Sequence, residues 1–341
     1  MSGVRHEVVR TRTAYEQAAD RGVRWLTDQL GEEGSFGPGV DDLACYYKSP
    51  YLLALSGRPR EAARLLDHVK RTFMGADGDF ISSAERKSEN GAFEEYWAYP
   101  NVWIALGSQR LGRMDVAAPA LGYLRSYDAP CGGFFTRRRT ADADDVVDAL
   151  TTAHLGLLAL SFGDVQRAER AGVYLARLLD AQPDLDHGLY LRSDARGRVV
   201  VEFPAQAAVF HLVSRSEPDQ AYFMAGYPIA FLAKLAEVSS DGAHLRTARG
   251  YLDFALSCEG NLRASPLSHK VAWGAAVLGR VADEPRGLEL AAQIAAFLLQ
   301  IQDRGGAWLA AEAPYTTFDQ TAEISIWLQE IAIELSRATT A

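Results

Sequence analysis

Four aspartates, Asp142, Asp144, Asp145 and Asp148, lie directly before an apolar stretch that contains His154. Neighbouring carboxyl groups cannot all ionise without cost, so one of them can be held protonated as a strong acid. Aspartate is also favoured at the beginning of a helix, where it caps free N–H groups and meets the positive end of the helix dipole. The pattern therefore predicts either a general acid at Asp144, with Asp145 beside it, or a helix cap. His154 is either a general base or a buried core residue.

Further residues of these types lie where a glycine turn leads into an apolar segment. The candidate acids and bases there are Asp41, Tyr47 and Glu95. The candidate substrate-binding residues are Tyr46, Trp97, Tyr99, Tyr227, Trp273, Phe318 and Asp319. Lys48, His269, Lys270 and Glu323 lie in the same junctions. An aromatic pocket with a few acids suits proton transfer on an apolar substrate, because aromatic faces stabilise a developing cation. Aromatic residues at helical spacing are otherwise typical of a packed core.

The elements that must position these residues form a repeat. A turn of glycine, any residue and an apolar residue occurs six times, at Gly34, Gly78, Gly132, Gly188, Gly260 and Gly306. Each turn lies between an amphipathic segment, which is typical of a surface helix, and a more uniformly apolar segment, which is typical of a buried one. Six such pairs predict an all-α fold, an (α/α)6 toroid with inner and outer helices, and a single domain over residues 1–341. An open helical solenoid is the alternative, but solenoid repeats are usually shorter and more regular.

The toroid brings the six junctions to one end, around a central cavity. Residues 43–55 are expected to form one inner helix. Pro50 and Pro100 follow the aromatic pairs of the first two units, and proline kinks a helix. Such kinks would turn some of Tyr46, Tyr47, Tyr96 and Trp97 toward the cavity. The fourth unit is longer than the others, and its segment RGRVVVEF is expected to add a short strand or hairpin.

Gln302-Asp303-Arg304-Gly305-Gly306-Ala307-Trp308, followed by an acid-headed helix from Phe318 to Glu323, resembles a known pattern. It is similar to the Q-x-x-G-G-x-W turn of terpene cyclases and protein prenyltransferase β-subunits, as in squalene-hopene cyclase-like repeats. The segment DQLGEEGSFG in the first unit is a looser copy. The resemblance covers most of the chain as architecture, and it implies the toroid fold.

The aspartate cluster also matches this family. Asp142-Ala143-Asp144-Asp145 has the D-x-D-D pattern of class II terpene cyclases, and the resemblance implies that Asp144 protonates an alkene or epoxide. Two features depart from the family. Val146-Val147 stands where its members usually continue with Thr-Ala, and they place this site between two helical domains, whereas this chain has one.

Composition narrows the class of protein. The net charge of -9 argues against nucleic acid or an anionic membrane as partner. No signal segment or membrane-length apolar run is present, which favours a cytoplasmic protein. The three cysteines, Cys45, Cys131 and Cys258, are far apart, and no Asp-x-Cys pair suggests the zinc site of prenyltransferases. We therefore expect no metal and no cofactor, with a small apolar molecule as partner, and a homo-oligomer remains open.

Three functions follow from these observations. The first is acid-initiated cyclisation, isomerisation or dehydration of an isoprenoid-like or polyene substrate. The second is a carbohydrate-active toroid, a glycoside hydrolase, lyase or epimerase, with Glu95 and Asp319 as its carboxylate pair. The third is a non-catalytic binding protein. A closed apolar cavity favours the first, an open acidic cleft the second and a filled centre the third.

Overall fold

The computed structural model describes residues 2–141 and 145–338, with side chains from residue 12 onward. Its helices are α1 (Ser2–Thr27), α2 (Ser49–Leu55), α3 (Pro59–Phe73), α4 (Ala92–Glu95), α5 (Tyr99–Arg110), α6 (Met114–Leu124), α7 (Ala149–Ser161), α8 (Val165–Asp180), α9 (Ala208–His211), α10 (Phe223–Ser239), α11 (Gly242–Ser257), α12 (His269–Val281), α13 (Pro285–Gln300) and α14 (Pro314–Ala338). None of the helices in this part of the chain is long and apolar enough to cross a membrane.

The helices form two concentric layers. The inner layer is α2, α5, α7, α10, α12 and α14, and each of these packs on the next until α14 returns to α2. The outer layer is α1, α3, α6, α8, α11 and α13, and each of these packs against inner helices. In α7, α10 and α12 most residues are buried, because these helices have neighbours all round. The predicted (α/α)6 toroid is confirmed, and the ring is closed.

Glycine turns join neighbouring units by close backbone contact. Gly34, Gly78, Gly132 and Gly306 all have positive φ, between 83° and 101°. A Cβ built on Gly34 would lie 2.1 Å from the carbonyl oxygen of Arg64 in α3, and one on Gly306 would lie 2.6 Å from that of Arg21 in α1. Each of these turns thus presses against the outer helix of the following unit, which only glycine permits. The contact of Gly306 with α1 joins the last unit to the first.

Aspartates and prolines fix where the helices begin. The side chain of Asp148 caps α7 by accepting a hydrogen bond from the Thr151 N–H at 2.6 Å, and Asp164 caps α8 from the Arg167 N–H at 3.1 Å. Pro50 and Pro100 lie in the first turns of α2 and α5. Proline is tolerated at this position because the N–H it lacks would have no helical partner.

The prediction of one kinked inner helix over residues 43–55 was wrong. A short 3-10 turn, Leu43–Cys45, is followed by α2 from Ser49, so Pro50 begins a helix and bends none.

The extra length of the fourth unit forms short strands. Strand β1 (Val146–Asp148) pairs antiparallel with β3 (Arg192–Asp194), and β2 (Gly188–Tyr190) pairs antiparallel with β4 (Leu212–Ser214). A further bridge joins Ser193 to Val199, within the segment for which a strand or hairpin was expected. These strands cover the end of the toroid at which the inner helices begin.

Candidate active site

A cavity of about 380 Å3 opens where the inner helices begin, and we call it the central cavity. This volume falls within the range of about 300–1,000 Å3 that is usual for small-molecule sites. Its wall is mostly aromatic and aliphatic, with Phe93, Tyr96, Tyr99, Leu150, Val209, Phe210, Phe223, Met224 and Leu267. Its polar side chains are Tyr47, Lys48, Asn90, Asp219, His269, Lys270, Asp319, Gln320 and Glu323.

Glu323 is the centre of the polar part of this cavity. Its side chain is 1% exposed, and Lys48 and Lys270 both form ion pairs with it, the second at 2.7 Å from Nζ to Oε1. The hydroxyl of Tyr99 and the indole N–H of Trp327 donate to the same Oε1, at 3.1 and 3.2 Å. A buried carboxylate needs this number of donors, because leaving water costs it several kcal/mol.

The cluster of charges is balanced. Lys48 also lies 2.8 Å from Asp319, so two buried lysines face two buried carboxylates. Burial would raise the pKa of Glu323, but Lys270 and Lys48 hold that pKa well below its ordinary range. Glu323 is therefore an ionised group that organises its neighbours, and it is not a carboxylic acid that could protonate a substrate.

Lys270 is a group in the cavity wall whose ammonium can lose its proton near neutral pH. Burial lowers the pKa of Lys270 to about 8, although Glu323 opposes this change. Its Nζ lies 3.0 Å from Nε2 of His269, whose pKa burial also lowers. A pKa close to the working pH is the property that general acid–base catalysis requires.

Two tyrosines extend the polar network. Burial raises the pKa of Tyr47 and of Tyr99 well above the ordinary value, and the neighbouring carboxylates add to this effect. Tyr47 donates to Asp319, and the hydroxyls of Tyr99 and Tyr227 are 3.3 Å apart. Both tyrosines therefore act as hydrogen-bond donors in the cavity, not as phenolates.

Of the residues predicted from the sequence, Tyr47, Tyr99 and Asp319 line the central cavity. Tyr46, Trp97 and Phe318 do not, contrary to expectation. Tyr46 stacks on Phe36 with ring centroids 4.9 Å apart, and the Trp97 indole donates to Asp79 at 2.8 Å. Phe318 packs on Phe36 and Trp25, with ring centroids 4.6 and 4.9 Å away. These three side chains fill the layer between inner and outer helices.

His154, Tyr227 and Trp273 lie deeper along the axis of the toroid. The centroid of the His154 ring lies 4.8 Å from the ring centroids of both Tyr99 and Tyr227. Neither nitrogen of the His154 ring has a hydrogen-bond partner among the described residues. Burial holds the pKa of His154 well below its ordinary value, so the ring is neutral. Trp273 stacks on Trp327 with the ring centroids 4.2 Å apart. Together they separate the central cavity from a second one at the opposite end.

The predicted acids lie elsewhere. Asp144 falls outside the described residues. Asp145 is exposed and pairs with Arg139 at 3.2 Å, and Asp41 lines a separate polar pocket of about 300 Å3. Arg192 and Arg137 hold Glu95 at 2.7 and 2.8 Å, and they keep its pKa below the ordinary value although burial opposes them. Glu95 is thus outside the cavity wall, and the predicted pairing of Glu95 with Asp319 is not found there.

The cap that the aspartate cluster predicts is Asp148. Burial raises its pKa to about 6, and Arg192 opposes this change. Its Oδ1 accepts from Thr151, while its Oδ2 has no partner among the described residues.

Lys48, His269, Lys270 and Glu323 lie at the predicted junctions, but the sequence pattern did not predict them as site residues. Lys270 and Glu323 belong to different units, and Lys48, which immediately precedes α2 and pairs with Glu323, is 275 residues away from it in the sequence. The available signal was a lysine inside an otherwise apolar helix, which is rare unless the lysine is paired. Among the described residues, no group of three or more histidine, cysteine or acidic side chains could hold a metal ion.

Comparison with solved structures confirms the fold. A GH76 α-mannanase from Bacteroides thetaiotaomicron superposes with a TM-score of 0.63 at 11% identity, over 96% of this chain and 97% of that one. D-mannose isomerase superposes with a TM-score of 0.67 at 10% sequence identity, over 92% of this chain and 97% of that one. The type II terpene cyclase MstE from Scytonema superposes with a TM-score of 0.58 at 12% sequence identity, over 96% of this chain and 99% of that one. No protein-family model matches this sequence, and no curated protein matches it either. At these identities the similarity shows a shared toroid, of the kind that the sequence resemblance implied, and no more.

Proposed function

We propose that this protein is an enzyme that transfers a proton on a small, largely apolar substrate bound in the central cavity. Isomerisation and dehydration are the reactions that fit best. The observation that carries the proposal is the position of Lys270, a buried amine in the wall of an aromatic cavity with Glu323 at 2.7 Å and His269 at 3.0 Å. The three structures compared above are all named as enzymes, which agrees with a catalytic role.

The roles follow from the charges of the groups. Lys270, as an ammonium near its pKa, gives a proton to the substrate, and Asp319, as a carboxylate in the cavity wall, accepts one. Tyr47 donates a hydrogen bond to Asp319 and Lys48 forms an ion pair with it, and together they orient it. Glu323 keeps the two lysines in place as a positioning residue. Because Lys270 and Lys48 keep Glu323 ionised, Glu323 is not the strong carboxylic acid that direct protonation of an alkene needs, and this argues against a cyclase initiated by Glu323.

A carbohydrate is the second candidate substrate. Asn90, Asp219, Asp319 and Gln320 supply amide and carboxylate oxygens to the lining of the cavity, which also contains aromatic rings. Hydroxyl-binding groups beside aromatic platforms are typical of sugar sites. On this alternative, the same lysine and carboxylate would interconvert a ketose and an aldose by proton transfer.

Hydrogen exchange with solvent tests the shared step for both substrate classes at once. The protein is incubated in D2O with two panels, one of unsaturated terpenoid ketones and alcohols and one of reducing sugars. Deuterium incorporation is measured by mass spectrometry. We expect incorporation in a member of the first panel, and Lys270→Met should slow it about 100-fold or more, the usual contribution of a general acid or base.

Lys70 provides the matched control. It pairs with Asp115 on the outer surface, so Lys70→Met removes the same charge far from the cavity and should leave the exchange rate unchanged. Exchange confined to sugars would select the second candidate. An unchanged rate in a folded Lys270→Met variant, with a circular dichroism spectrum like that of the wild type, would refute the assignment of Lys270.

A further inference from the structure

The charges in the lining of the central cavity do not balance. The two lysines of the lining are offset by the carboxylates of Asp319 and Glu323. His269 is neutral at pH 7, because burial lowers its pKa below the ordinary value. Asp219 is the remaining ionisable acid of the lining, so the cavity has one negative charge in excess, and that charge belongs to Asp219.

Asp219 is accessible and has no cation beside it. Its Oδ1 accepts a hydrogen bond from the Asn261 side-chain amide at 2.7 Å, which is a neutral partner. Arg215, the cation nearest to it in the sequence, pairs with Asp186 instead. Asp219 belongs to none of the ion pairs found within residues 12–141 and 145–338. Since the residue is exposed, a ligand can supply the missing counter-ion.

Asp219 lies where the central cavity meets a smaller pocket of about 310 Å3, which we call the outer pocket. Val209, Asp219 and Ala221 line both spaces, so the two adjoin. The ionisable residues in the lining of the outer pocket are Glu217 and Asp219. The outer pocket therefore adds no positive charge that could offset Asp219.

Two aromatic rings of the central cavity are accessible to the same ligand. Phe210 in α9 and Phe223, the first residue of α10, both line the cavity and are only partly buried. Rings of this size provide most of the packing surface in a small-molecule site. The cavity thus combines an apolar surface for the body of a ligand with one carboxylate that lacks a counter-ion.

We propose that Asp219 makes the central cavity specific for a substrate that has an apolar body and a protonated amino group. The body packs on Phe210 and Phe223, and the ammonium group pairs with the carboxylate of Asp219 beside the outer pocket. The net charge of -9 on the whole chain also favours the approach of a cation. The inference rests on the proposed function, because it takes the central cavity as the substrate site, and it adds the class of substrate.

Three naphthalene compounds of nearly equal size test the proposal. They are naphthalene-2-methylammonium, naphthalene-2-methanol and naphthalene-2-carboxylate, and binding to the full chain is measured by isothermal titration calorimetry at pH 7. We expect the ammonium to bind about three- to fivefold more tightly than the alcohol, since an accessible charge pair contributes a factor of this order, and the carboxylate to bind most weakly. Added salt should reduce the advantage of the ammonium and leave the affinity of the alcohol unchanged.

Asp219→Asn assigns the preference to this residue. Asparagine keeps an oxygen that can accept from Asn261, and it tolerates the positive φ of 55° at this position, so the substitution removes the charge alone. The ammonium should then bind no more tightly than the alcohol, whose affinity should not change. Asp283→Asn is the matched control, because Asp283 is also exposed, has a φ of 49° and lines neither space. It should leave all three affinities as they are.

Four results would overturn the proposal. They are equal binding of ammonium and alcohol, tightest binding of the carboxylate, no binding of the ammonium at millimolar concentration, and a preference for the ammonium that persists in Asp219→Asn. These binding results are independent of the deuterium exchange that tests proton transfer. Exchange without a preference for the ammonium would leave the proposed function and remove the amine, whereas a preference that depends on Asp219 without any exchange would do the reverse.

Discussion

The balance of charge around Glu323 leads to a prediction that separate substitutions and their combination can test. Lys48 and Lys270 face Asp319 and Glu323, so the cluster sums to zero. Glu323→Gln leaves one positive charge in excess, and Lys270→Met leaves one negative charge in excess. Both groups are fully buried, and breaking a buried pair costs about 3–5 kcal/mol because the remaining charge is unpaired.

The double variant restores neutrality. Lys48 and Asp319 remain 2.8 Å apart as a single pair, and no excess charge is left in the cluster. We therefore expect each single substitution to lower the free energy of unfolding by about 3–5 kcal/mol. The double substitution should cost no more than either single one, so that the coupling free energy is about 3 kcal/mol or more.

Urea unfolding at pH 7, followed by circular dichroism, measures the four proteins of this cycle. The surface pair of Lys70 and Asp115, at 2.7 Å but 39% and 47% exposed, gives a matched cycle in which the coupling should be a small fraction of this value. If the costs of Glu323→Gln and Lys270→Met add to within about 0.5 kcal/mol, the two side chains are not a buried pair and the reasoning fails.

Three other predictions follow from the site and the fold. If Lys270 gives the proton, the rate of deuterium incorporation should fall as pH rises through about 8, where its ammonium is lost, and a rate that rises through this pH would contradict the acid role. Because burial raises the pKa of Asp148 from 3.8 to about 6, the folded state binds more protons than the unfolded state between these values. The free energy of unfolding should then fall by about 3 kcal/mol from pH 3.5 to 7.5 relative to Asp148→Asn, as urea unfolding at both pH values can show, whereas parallel changes would refute it. Gly306→Ala should lower the melting temperature more than Gly57→Ala, because both glycines have positive φ but only the first would place a Cβ against a backbone carbonyl, 2.6 Å from Arg21. Equal losses would show that the close contact is unimportant.

The toroid could be predicted because its repeat has a local physical cause. Gly34 and Gly306 are needed for positive φ and for close contact with the next outer helix, so the spacing of glycines marks the units. The same pattern at Gly188 and Gly260 has a different cause. Gly188 lies in β2 against the Val213 carbonyl, and a Cβ on Gly260 would meet nothing within 4 Å. The division into six units was correct, although only four of the six turns have the same geometry. The assignment of residues 1–341 to a single domain stays a prediction.

The site was harder to predict because it depends on which way neighbouring side chains point. Tyr46 and Tyr47 are adjacent, yet the first lies in the core and the second in the cavity. The 3-10 turn before α2 breaks the helical period that would have distinguished them. Residues whose pairing is local, such as Asp148 and Thr151, can be recognised as a cap from sequence. The pairing of Lys48 with Glu323 cannot, because the ring closure that joins their helices is not encoded near either residue.

The closing contact of Gly306 with α1 also has a consequence for how the protein unfolds. An open array of helical repeats has two end units, each with one exposed flank, and it can lose structure progressively from those ends. Here every unit has two neighbours, since α14 packs on both α1 and α2. Melting any one unit would therefore expose apolar surface on both sides, and no unit is a weak point from which unfolding can spread. The ring is expected to unfold as one cooperative unit despite its repetitive construction.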